Sequence, residues 1–165
     1  VKVLLDTNAY AALKRGVDAV IWQVTRAETV LLSTVVAGEL LAGFRQGTRL
    51  RKNLDELEAF LDNPHVTVVP VTLATADRFG RIAASLRAKG RPIPTNDIWI
   101  AAHAMETGAQ LLSFDTHYGE VDGLAFLALA ARFAWLRTTP SARRLFFGSI
   151  AYLPLLWILM VLNRI

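Results

Sequence analysis

Residues 94–119, PTNDIWIAAHAMETGAQLLSFDTHYG, carry the reading that decides the fold. Pro92 and Pro94 break the preceding segment, and Thr95 or Asn96 then caps a helix that runs from about Asp97 to Glu106 and stops at Gly108. Leu111–Phe114 follows as a short apolar run with strand character, and it ends on an acid, Asp115. The chain opens with the same device. Val1–Leu5 is an apolar run with β-branched residues, closed by Asp6, Thr7 and Asn8.

Working outward, the pattern alternates. Ala9–Arg15 and Ala19–Ala27 read as short helices, and Val30–Ser33 as a second strand. From Val35 a helical face of Val36, Leu40, Leu41 and Phe44 runs to Gly47, and Leu50, Leu54, Leu57 and Leu61 define another that ends near Asn63 and Pro64. Val66–Val69 is a third strand, Ala74–Lys89 a long helix with Gly90 as its C-cap, and Leu111–Phe114 the fourth strand. Gly123–Leu129 supplies a candidate fifth. Strands alternating with helices imply an α/β domain whose central, mostly parallel sheet of four to five strands is flanked by helices. In such sheets, sites form beyond the carboxyl ends of the strands.

Four acids are directed toward that edge. Asp6 and Asp115 sit just past strand ends, and Glu39 and Asp97 lie early in helices. Each has a plain structural explanation. Asp6 can cap the next helix, Glu39 can pair with a buried arginine, Asp97 can favour the positive end of a helix dipole, and Asp115 can open a turn. Together they say more, because crowded carboxylates repel and raise one another's pKa unless a cation intervenes. Oxygen ligands suit Mg²⁺ or Mn²⁺, and such ions activate water against a phosphate. The chain has no cysteine and three histidines, His65, His103 and His117, which makes zinc a poor alternative. His103 falls inside a helix and reads as packed or solvated, whereas His117 lies near Asp115 within reach of a substrate.

Charge alone does not point to nucleic acid. Residues 1–125 hold 13 Lys+Arg and 14 Asp+Glu, a net −1, while residues 126–165 hold five Arg and no acid, a net +5, and the two recover the +4 of the whole chain. The cluster Arg45, Arg49, Arg51 and Lys52 reads equally as a solvated helix face or a phosphate contact. The absence of cysteine suits a reducing cytosol, and no secretory signal is expected from the first residues.

LLDTNAY at 4–10, a Glu inside VVAGELLAG at 35–43, PTNDIWIAA at 94–102 and LLSFDTHYG at 111–119 together resemble the PIN-domain ribonuclease toxins of the VapC type. The resemblance covers residues 1–125, about three-quarters of the chain. It implies a PIN-like fold and makes Asp6, Glu39, Asp97 and Asp115 the catalytic acids, with Asp6 and Asp97 in direct contact with the metal. Asn8 and Asn96, and less strongly Thr7 and Thr95, match neighbours that orient those carboxylates. It also implies a cytoplasmic, Mg²⁺- or Mn²⁺-dependent endoribonuclease that hydrolyses RNA phosphodiester bonds with a metal-activated water. Such a toxin forms a homodimer, often cuts structured RNA such as tRNA, and is neutralised by a small antitoxin. Two alternatives share the fold: a nuclease directed at DNA, and a non-catalytic, membrane-tethered module that binds RNA.

Residues 126–165 depart from that family. The stretch 145–162, LFFGSIAYLPLLWILMVL, carries no charge over 18 positions and approaches the roughly 20 apolar residues of a membrane-spanning helix. This reads as an extra hydrophobic C-terminal helix that contacts a membrane. Residues 141–164 also resemble the C-terminus of protoheme IX farnesyltransferases, which offers a second account: a reading frame joined to an unrelated gene end.

Overall fold

A computed structural model describes residues 1–128, which belong to one compact unit. The expected C-terminal helix, the membrane segment at 145–162 and the farnesyltransferase-like stretch at 141–164 all lie outside the described residues. Among the described residues no helix is long and apolar enough to cross a membrane.

Five strands form the sheet: β1 (Lys2–Leu5), β2 (Thr29–Ser33), β3 (Val66–Val69), β4 (Gln110–Ser113) and β5 (Phe126–Ala128). Their order is β3-β2-β1-β4-β5, and every pairing is parallel, so the sheet is wholly rather than mostly parallel. β5 pairs with β4 through Leu112 and Leu127, which carries the sheet past residue 125. Six helices connect the strands: α1 (Thr7–Lys14), α2 (Asp18–Arg26), α3 (Thr34–Gln46), α4 (Leu50–Leu61), α5 (Leu73–Ala88) and α6 (Thr95–Thr107). A 3₁₀ turn, Thr116–Glu120, lies between β4 and β5.

The near-continuous apolar strands follow from burial on both faces of a parallel sheet. Successive side chains of β1 serve opposite layers. Leu4 packs with Val36, Leu40, Ile82, Leu86 and Ile100 of α3, α5 and α6, while Val3 and Leu5 pack with Ala9, Ala12 and Val20 of α1 and α2. β4 divides likewise, Leu111 to the first layer and Leu112 to the second.

Register positions the site. Leu5 of β1 is level with Leu32 of β2 and with Leu112 of β4. The next residue on each strand is therefore Asp6, Ser33 and Ser113, all buried at one edge of the sheet. Ser33 caps α3 by accepting the Val36 N–H at 3.1 Å, so the chain turns into a helix immediately beyond the strand. At the far side, α6 begins at Thr95 with Pro94 as its N-cap, so neither Thr95 nor Asn96 caps it. Proline's fixed φ suits that entry, and Asn96 keeps its side chain for another partner. Gly108 ends the helix at φ 64°, a left-handed conformation that favours glycine.

Candidate active site

Asp6 follows β1 and caps α1. Its Oδ1 accepts the Ala9 N–H at 2.5 Å, and its Oδ2 accepts a short hydrogen bond from the Ser113 hydroxyl across the β1–β4 pairing. The carboxylate is 4% exposed. Burial pushes its pKa from the ordinary 3.8 to about 6; the bonds from Ser113 and Ala9 pull it back, and Asp97 and Asp115 raise it again.

Glu39 lies in the second turn of α3 and is half-buried. It is held from two other helices. Thr7 of α1 donates a short hydrogen bond to Oε2, and Asn96 of α6 donates to Oε1 at 2.6 Å. The partners of this carboxylate in an apolar segment are thus neutral donors rather than an arginine.

Asp97 occupies the first turn of α6, where the helix dipole favours an anion. Its Oδ1 accepts the Tyr118 hydroxyl at 3.2 Å. Partial burial raises its pKa, the Tyr118 bond lowers it, and Asp115 and Glu39 raise it further. Tyr118 is 1% exposed, and burial beside these anions raises its pKa, which keeps the phenol protonated as a donor. Asp115 opens the 3₁₀ turn by accepting the His117 N–H at 2.9 Å, and the His117 ring Nδ1 lies 3.0 Å from the same Oδ1. The Asp115 N–H in turn donates to Ser113 Oγ at 2.9 Å. Ser113 therefore ties the Asp6 side chain to the Asp115 backbone.

Asp97, Asp115 and His117 each offer a ligand atom, and these three atoms lie within 4.8 Å of one another. Asp6 and Glu39 stand close enough to raise or respond to the same charges. Among the described residues, no lysine or arginine forms an ion pair with any of the four acids; the ring that stands beside Asp115 is that of His117. Four carboxylates without a resident counter-charge, and with oxygen donors in the majority, fit a hard divalent cation.

The other expected positions differ in their contacts. Thr7 and Asn96 both reach Glu39, while Asn8 and Thr95 are exposed and hydrogen-bond to none of the four acids. His103 is fully buried in α6 with Nδ1 on the Trp99 carbonyl, away from the acids. Ser113 and Tyr118 are additions that the sequence reading lacked. A signal for Ser113 exists: LLS occurs at both 31–33 and 111–113, each time as the last residues of a buried strand whose serine turns to a polar task.

The PIN domain family matches residues 3–124. The chain belongs to the PIN-domain family. Among curated relatives, it is 32% identical to Ribonuclease VapC2 of Haemophilus influenzae over 114 residues, 68% of this chain and 85% of that protein. It is 31% identical to a tRNA(fMet)-specific endonuclease VapC of Shigella flexneri over 94 residues, 56% of this chain and 70% of that protein. Among solved structures, this PIN domain is similar to VapBC-5 from Mycobacterium tuberculosis, a member of the VapBC family of toxin–antitoxin systems. The TM-score is 0.60 at 25% identity, covering 76% of this chain and 95% of that one. This PIN-domain chain is a nuclease of the VapC type.

Proposed function

We propose that this chain is the toxin of a type II toxin–antitoxin pair, a cytoplasmic endoribonuclease that hydrolyses RNA with Mg²⁺ or Mn²⁺ held by its acids. The observation that carries the reading is the gathering of Asp6, Glu39, Asp97 and Asp115 at one sheet edge, with no lysine or arginine among the described residues paired to them. A small antitoxin silences it, and a second copy completes a homodimer, as the VapC resemblance implies. A structured RNA such as tRNA is the substrate class, supported by the name of the Shigella flexneri relative. The nuclease domain runs from residue 1 through β5, past the expected boundary at 125, and the residues after it form an extension.

Each residue has a task in this scheme. Asp6 is fixed by Ala9 and Ser113, so its carboxylate holds one position and presents its remaining lone pairs. Tyr118 orients Asp97 in the same way through Oδ1, and Oδ2 accepts no hydrogen bond from the described residues. Thr7 and Asn96 aim Glu39 from either side. A divalent ion bound here supplies positive charge that stabilises the phosphate's developing anion and lowers the pKa of an attached water. The carboxylates of Asp97 and Asp115 accept hydrogen bonds from a water and orient its oxygen toward phosphorus. The water oxygen forms the new P–O bond as the P–O bond to the ribose oxygen on the opposite side breaks; the water's proton passes to the carboxylate that holds it, and the departing ribose oxygen takes a proton from solvent.

The test is cleavage of an end-labelled tRNA by wild type and Asp97→Asn, each with Mg²⁺ and with chelator. Internal fragments are expected for wild type with Mg²⁺ alone. Equal cleavage by Asp97→Asn would remove the site assignment, and equal cleavage of matched DNA would shift the substrate to the other polymer.

A further inference from the structure

The backbone of His117 closes the turn on Asp115, and its ring contributes little to the fold. Its side chain is 56% exposed, and an exposed contact such as that with Asp115 adds little stability. Yet one ring nitrogen sits with oxygens of Asp97 and Asp115 inside a 4.8 Å set. Oxygens there are available: Oδ1 of Asp97 is taken by Tyr118 and Oδ1 of Asp115 by His117, while Oδ2 of each accepts no hydrogen bond from the described residues. The backbone holds His117 in place independently of its ring, through the N–H donated to Asp115.

We infer that His117 supplies a nitrogen ligand to the cation held by Asp97 and Asp115, and that this ligand makes the site prefer Mn²⁺ to Mg²⁺. The inference rests on the nuclease reading and adds the identity of the ion. Mg²⁺ is a hard ion that takes oxygen ligands and keeps its waters. Carboxylate oxygens suit both ions, but Mn²⁺, a first-row transition ion, accepts an imidazole nitrogen more readily than the harder Mg²⁺ does. Two carboxylates and one imidazole make such a mixed set. With carboxylates alone, the same cage would discriminate little between the two ions.

The experiment titrates Mn²⁺ into metal-stripped protein, reads free Mn²⁺ by its electron paramagnetic resonance signal, and repeats the titration with competing Mg²⁺. The proteins are wild type, His117→Gln and Asp97→Asn. Glutamine keeps the backbone N–H and offers an oxygen in place of nitrogen. Altered outer partners of metal ligands typically cost about 10–100-fold in affinity, so loss of a direct ligand is expected to weaken Mn²⁺ by at least about tenfold. Mg²⁺ affinity stays unchanged in His117→Gln, so the preference for Mn²⁺ collapses. Unchanged Mn²⁺ affinity in His117→Gln, with binding lost in Asp97→Asn, overturns the role of His117 and leaves the nuclease reading standing. Absence of Mn²⁺ binding in wild type, or binding indifferent to both substitutions, overturns both.

Discussion

Replacing Asp6 with asparagine should make the metal-free protein more stable while abolishing cleavage. Asp6 is 4% exposed, and its carboxyl titrates near 6 in the folded chain against an ordinary 3.8, chiefly because burial disfavours the charged form. A raised carboxyl pKa means that the folded state holds its proton longer than the unfolded state. The protein therefore loses stability as pH rises from about 4 to about 6, and the full penalty persists above that window. The separation of the two values corresponds to roughly 3 kcal/mol at neutral pH. Asparagine removes the charge and keeps the geometry: its oxygen accepts the Ala9 N–H, and its NH₂ donates to Ser113 Oγ, which now serves as acceptor. Neutral hydrogen bonds are weaker than those to a carboxylate, so the net gain is about 1–3 kcal/mol, or some 5 °C in melting temperature. The assay is thermal unfolding in chelator at pH 5 and at pH 7.5. Asp6→Asn should melt above wild type at pH 7.5, with a smaller gap at pH 5. Mn²⁺ should then narrow the gap by stabilising wild type more than the variant. A variant that melts below wild type at pH 7.5, or a gap indifferent to pH, would refute the reasoning.

Tyr118→Phe removes the hydroxyl that lowers the Asp97 pKa, so the acidic limb of the cleavage pH profile should move to higher pH and kcat should fall more than KM rises. Loss of this hydrogen bond to a charged group should also cost about 1.5–3 kcal/mol, read by urea unfolding. Asn96→Ala deletes an exposed donor 2.6 Å from Glu39 and should slow cleavage while changing stability by less than about 0.5 kcal/mol, which comparison of rates with melts checks. Leu4→Ala hollows the layer between the sheet and α3, α5 and α6, and should cost about 2–5 kcal/mol by the same unfolding assay.

The strands and the four acids were legible because each acid interrupts an apolar pattern at a place where the pattern requires a boundary. Leu4-Leu5-Asp6 and Phe114-Asp115 announce a strand end by the change in polarity alone, and Glu39 stands out in VVAGELLAG because an ionised group there needs partners. Those partners were less visible. Thr7 and Asn96 are 32 and 57 residues from Glu39, and they meet it because parallel register brings β1, β2 and the loop before α6 to one edge. Ser113 escaped notice because a small residue at the end of LLS is neutral in pattern, and its role appears when Leu5 and Leu112 are known to pair. Tyr118 reads as one more core aromatic, and it is one: its ring packs near Phe126 while its hydroxyl reaches Asp97. The start of α6 was misplaced by two residues because Thr and Asn are good caps, whereas Pro94 sets the backbone without a side-chain hydrogen bond.

Diffraction from crystals soaked in Mn²⁺, recorded near the manganese edge, puts the central idea to its sharpest trial. An anomalous peak should appear within about 2.5 Å of oxygens from both Asp97 and Asp115, and should vanish in Asp97→Asn. A soaked crystal with no such peak beside any of the four acids, at a concentration that supports cleavage, would contradict the account.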